Sequence, residues 1–264
     1  REQLIADECL LRPMFVGHGV LAFAIVAWLA LARDRPGREA LALGLLAAAF
    51  GTLPDVDMLY APLGLVGATG SLTGASAAFW DAAHEVHRAA THSLVVGAIA
   101  TGIVAAWQRE RAARAGAAVL GAFLVAVAFR TGGPVGAVIM LVFVAGAIGL
   151  AALARRRRLP PAWIAGAAAV GLLTHPFGDL LTGAPPALLY PFDVPLLEGR
   201  VVLAADPTVN LLLAFFVELA TLWLGLLVVA RLQGWRLRWR VQPRAALGAG
   251  YAVVLVAVPA PTID

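Results

Sequence analysis

The sequence predicts an all-α protein, a polytopic transmembrane helical bundle of about seven to eight spans, on three observations. Hydrophobic residues make up 61% of the 264 and charged residues only 14%, with a mean hydropathy of +0.85. The apolar residues fall in blocks of roughly 14 to 23, close to the roughly 20 needed to cross a bilayer as a helix. The short breaks between blocks carry the arginines, and they do so asymmetrically.

Eight blocks result, about 14–32, 39–54, 92–107, 115–130, 134–154, 162–182, 208–230 and 245–259. The fourth, "AGAAVLGAFLVAVAFR", and the fifth are separated only by "TGGP", which predicts a tight turn between antiparallel helices. Two longer connections remain. Residues 55–91 are rich in Gly, Ala and Ser, while 183–207 hold Pro185, Pro186, Pro191 and Pro195 and should run extended. We read residues 14–264 as one helical domain and 1–13 as an N-terminal extension ahead of a natural start at Met14. No cleavable signal peptide is expected, because the first apolar block is followed by further spans.

All 20 basic side chains are arginine. With alternating helices, the breaks at 33–38, 109–114, 155–158 and 231–244 fall on one face and hold 15 of them, against five on the other. The positive-inside rule makes the arginine-rich face cytoplasmic and predicts a multi-pass cell-membrane protein. No basic patch interleaved with aromatics argues for nucleic acid. The lone cysteine, Cys9, excludes an intrachain disulfide and a thiolate cluster, so any metal must be held by His and carboxylates.

Counting from the arginines sets a depth. His18 lies 15 residues before Arg33, and Asp55 is 17 after Arg38; His92 is 17 before Arg109, and His175 is 17 after Arg158. At 1.5 Å per residue, all four sit roughly 22–26 Å from the cytoplasmic interface, near the outer edge of a core about 30 Å thick. Ionisable groups at such depth need partners inside the bundle or a watery cavity. Four helices thus bring polar groups to one level, on the extracytoplasmic side.

Each motif has an ordinary reading beside the chemical one. In "THPFGDLLT", His175 and Asp179 stand at i, i+4 on one helix face: they can chelate one ion, the aspartate can orient the imidazole, or the pair can simply close a helix end. "LPDVDMLY" offers Asp55 and Asp57, carboxylates that can turn toward one cation or form a plain polar loop. "WDAAHEVHRAATHS" sets Asp81, His84 and His87 on one stripe, followed by Arg88 and by His92 after a Thr91 N-cap; the alternative is a solvated amphipathic helix. His18, between two glycines, is by itself compatible with simple packing. Arg88 and Arg200 suit a phosphate or a lipid headgroup equally, and Glu218 reads as a supporting carboxylate or a packed, protonated one.

Together "LPDVD", "HRAATHS" and "HPFGDLLT", with a histidine in the first helix, resemble the YdjM-type family of membrane-bound metal-dependent hydrolases, the domain of unknown function 457. That family is distantly similar to zinc-dependent phospholipase C and P1-type nucleases. The resemblance, spanning roughly Met14 to Glu218, implies metal ligands at His18, Asp55, His87, His92, His175 and Asp179. We expect one to three divalent ions there, Zn²⁺ foremost, with Asp55, Asp57 and Arg88 as the catalytic residues, Asp55 a bridging general base and Arg88 the partner of a phosphoryl group. Met58 stands where the family usually continues with histidine, so a ligand is missing or comes from His84; Ala89 replaces a glycine. The function expected is hydrolysis of an ester, foremost a phosphoester of a membrane lipid, by metal-activated water. Two rivals stand beside it. A metal transporter or sensor would need charged groups through the bundle, and a serine protease built on Ser76 leaves the His and Asp residues unexplained.

Overall fold

The computed structural model describes residues 17–66, 71, 74–75, 78–79, 88, 90–181, 185–192, 194, 196–197 and 201–235. Among these the regular structure is helical: α1 (Gly17–Ala32), α2 (Gly37–Thr52), α3 (Leu94–Trp107), α4 (Arg111–Arg156), α5 (Pro161–Asp179) and α6 (Pro207–Leu232), with 3-10 segments at Leu53–Leu65 and Ala90–His92. Three helical stretches, Gly37–Pro62, Arg111–Arg156 and Thr208–Leu232, are long and apolar enough to cross a membrane; α1 and α3 are shorter apolar helices. The eighth expected block, 245–259, lies outside the described residues.

The expected "TGGP" turn lies inside α4. Gly133 adopts φ 61° and ψ −156°, a backbone region essentially reserved for glycine. The close approaches on either side mirror one another about it. A Cβ at Gly121 would lie 2.7 Å from Val144, and one at Gly136 would lie 2.8 Å from the Ala128 carbonyl oxygen. The two halves therefore fold back as an antiparallel hairpin, with small residues letting the backbones meet.

Small residues also set the crossings that carry the site. A Cβ on Gly51 of α2 would stand 3.2 Å from the His18 carbonyl oxygen of α1, and one on Gly171 of α5 would stand 2.6 Å from Phe50 Cβ and 2.7 Å from the Gly51 nitrogen. Helices α1, α2 and α5 thus converge at one end, where His18 and His175 lie. Below that end, Leu43, Phe50, Ile103, Phe143, Ile164 and Leu172 fill a buried apolar core.

Two boundaries differ from expectation. Pro54 does not release the chain into a loop; the backbone tightens into a 3-10 helix that runs on to Leu65, a geometry that tolerates Pro in its first turn because that N–H has no helical partner. The helix after the histidine-rich stretch is capped by Ser93, whose Oγ accepts from the Val95 and Val96 N–H groups. Thr91, expected as the cap, spends its hydroxyl elsewhere.

Helix α6 runs alongside α1. Gly225 packs on Val20, and Val228 joins Phe23, Ala24 and Ala27. The 18 residues before Gly225 extend about 27 Å beyond that level, exposing Phe215, Phe216 and Trp223.

Candidate metal centre

His175 sits one turn above Gly171 and is fully buried. Its Nδ1–H donates to the Gly51 carbonyl at 2.6 Å, which fixes the tautomer and leaves the Nε2 lone pair facing inward. Asp179, a turn further on, places Oδ2 3.7 Å from that Nε2. His92, delivered by the 3-10 turn ahead of α3, brings its Nε2 to 3.2 Å from the same Oδ2. Asp55, in the first turn after α2, puts Oδ1 3.6 Å from His175 Nε2 and 3.7 Å from His92 Nε2.

These four atoms form a ring with edges of 3.2–3.7 Å, and ligand atoms at about 2.0–2.1 Å from a four-coordinate zinc stand about 3.4 Å apart. His18 adjoins the ring: its imidazole lies 4.1 Å from that of His175, centroid to centroid, and its Nε2 is 3.5 Å from Asp179 Oδ1. Two groupings, His18–Asp55–His175 and His92–His175–Asp179, have converging atoms within 4.8 Å and could hold an ion.

The outer layer fixes these groups. Asp57, wholly buried, lies behind His92, with Oδ2 3.3 Å from Nδ1. The same oxygen accepts from the Thr91 hydroxyl at 3.0 Å and from the Arg88 backbone N–H at 3.3 Å. This is a carboxylate–imidazole arrangement of the kind that orients metal-binding histidines. Arg88, at φ 66°, grips Asp179 by its side chain at 3.2 Å and by its backbone carbonyl at 3.3 Å. The 185–192 segment clamps this corner. Ala187 N–H donates to the Arg88 carbonyl, and the Ser93 hydroxyl donates to the Leu188 and Tyr190 carbonyls.

The electrostatics favour a cation. Asp55, Asp57 and Asp179 against Arg88 leave two negative charges among the described residues when the histidines are neutral. His175 Nε2 and Asp179 Oδ2 are buried with no hydrogen-bond partner among the described residues. Polar atoms so placed are costly unless something is bound between them. The donor set of imidazoles and carboxylates suits a divalent ion such as Zn²⁺.

Of the residues singled out in the sequence, His18, Asp55, Asp57, Arg88, His92, His175 and Asp179 come together here. Glu218 lies partly buried on α6 and belongs to neither grouping. Ser76, Asp81, His84, His87 and Arg200 lie outside the described residues. Sequence reasoning missed the Gly51 carbonyl and read the Thr91 hydroxyl as a helix cap; their contacts span 124 and 34 residues and leave no local signal.

The fold and this cluster define an integral membrane protein with a buried histidine–aspartate centre. Residues 14–132 match the family described as YdjM inner membrane protein. The matched stretch holds His18, Asp55, Asp57, Arg88 and His92, and His175 and Asp179 lie beyond it. No curated protein and no solved structure matches the chain.

Proposed function

We propose that the protein is a metal-dependent membrane hydrolase acting on an ester, foremost a phosphoester of a membrane lipid. The observation that carries this reading is the pair of buried, unsatisfied atoms, His175 Nε2 and Asp179 Oδ2, facing a partly open Asp55. His92, His175, Asp55 and Asp179 would hold the ion, with His18 beside them. A bound Zn²⁺ supplies Lewis acidity, bringing water toward a pKa of about 7 and polarising an ester oxygen.

The chain's own groups do the rest. Asp55 is 27% exposed where His92, His175 and Asp179 are at most 4%, so it lies at the mouth and is the group able to take a proton from water as general base. Asp57 and the Gly51 carbonyl hold the two imidazoles in register. Arg88 anchors Asp179 and keeps a positive charge beside the site for a phosphoryl group.

In this reading α1, α2, α3, the two halves of α4, α5 and α6 make seven spans, with 245–259 an eighth, and the site opens toward the extracytoplasmic side. The exposed apolar length of α6 beyond Val20 favours a substrate that is itself lipid. The test is phosphate release from phospholipid in proteoliposomes. His175→Ala should abolish it with folding unchanged, whereas full activity after exhaustive chelation would contradict the reading.

A further inference from the structure

A cavity lies at the opposite end of the bundle and shares no residue with the metal centre. It measures about 820 Å³, opens between α2, the second half of α4 and the 157–160 connection, and is lined by Arg35, Arg38, Arg157, Arg158 and Glu39 at one end and by leucines and alanines at the other. Its size is within the roughly 300–1,000 Å³ of small-ligand sites. Four arginines and one glutamate leave its mouth at +3. Glu39 is committed to Arg35 at 3.3 Å, and Arg35 also stacks over Trp163 at 5.8 Å. Arg38, Arg157 and Arg158 are exposed.

The apolar part has a length that matters. Mouth and wall together run along α2 from Glu39 to Ala49, ten residues or about 15 Å, of which the apolar wall from Ala42 to Ala49 is about 10 Å; the whole is half of a hydrocarbon core about 30 Å thick. Leu45 and Leu153 line it while remaining 56% and 52% exposed, so the groove is open along its side. A basic mouth leading into an apolar wall, the two together one leaflet deep, matches a phosphate headgroup with an acyl chain attached. A soluble anion would use the mouth alone, and an acidic peptide would leave the leucine wall unmatched.

We propose that this groove is a binding site for an anionic phospholipid of the arginine-side leaflet, its phosphate held by Arg38, Arg157 and Arg158 and one acyl chain laid along Leu45, Leu46 and Leu153. Arginine pairs well with phosphate through its planar fork, and basic pockets between helices on this side of a membrane are suited to such headgroups. Glu39 tunes the site by occupying Arg35.

The test is native mass spectrometry of the full-length protein, delipidated in detergent and titrated with phosphatidylglycerol or phosphatidylcholine. Phosphatidylglycerol should bind in clear preference, and Arg157→Gln with Arg158→Gln should weaken it by roughly fivefold per arginine. Glu39→Gln, which frees Arg35, should strengthen it. Arg111→Gln with Arg114→Gln, on the same face but outside the groove, should leave it unchanged. Equal binding of the two lipids, an equal loss in the Arg111/Arg114 variant, or displacement by millimolar inorganic phosphate would each overturn the proposal.

Discussion

His175 Nε2 and Asp179 Oδ2 face each other across 3.7 Å, one helical turn apart, both buried and neither hydrogen-bonded among the described residues. A carboxylate and a neutral imidazole with a fixed tautomer would ordinarily close on each other. They cannot here, because the imidazole proton is already given to Gly51, so two lone-pair atoms face the same point. A cation there is the arrangement that removes the cost.

Asp57 acts through His92. Asp57→Asn keeps the shape and removes the charge behind the imidazole, so metal affinity should fall about 10- to 100-fold. A competition titration with a chromophoric chelator measures this. An unchanged affinity would mean that His92 is oriented without it.

Asp55 separates metal binding from turnover. Asp55→Asn retains an oxygen ligand and loses the base, so phosphate release should fall by roughly 10²–10⁴-fold while bound metal is largely kept. Equal loss of both would make Asp55 a ligand alone.

The α2–α5 crossing depends on Gly171. A Cβ there would lie 2.6–2.7 Å from Phe50 Cβ, the Ala47 carbonyl oxygen and the Gly51 nitrogen, contacts that backbone cannot relieve by a rotamer change. Gly171→Val should cost about 1–3 kcal/mol or more, read as a lowered melting temperature in detergent. It should also loosen the metal centre, since His175 and Gly51 are displaced together.

Orientation is open to labelling. In a Cys9→Ser background, Val194→Cys should react with an impermeant maleimide on intact cells, and Glu110→Cys only after permeabilisation. The reverse pattern would put the centre on the cytoplasmic side.

Much of the site was legible because depth is countable in a membrane helix. Spacing from the arginines set His18, Asp55, His92 and His175 at one level, and all four meet. The division of labour within "DVD" was not legible: a 3-10 turn, which nothing in the pattern after Pro54 announced, points Asp55 into the ring and Asp57 behind His92. Thr91 was misread as a cap because its bond to Asp57 spans 34 residues, beyond any local rule. The TGGP hairpin was legible, since only glycine tolerates the backbone at Gly133. The overhang of α6 was not, because its register is set by Gly225 meeting Val20, a contact without a sequence signature.

The most direct test is elemental analysis of the purified full-length protein beside its His175→Ala and Asp179→Asn variants, with folding checked by circular dichroism. The account predicts at least one divalent ion per chain in the parent and little or none in either folded variant. A parent protein without metal after metal-replete expression, or variants that retain the parent's content, would contradict it.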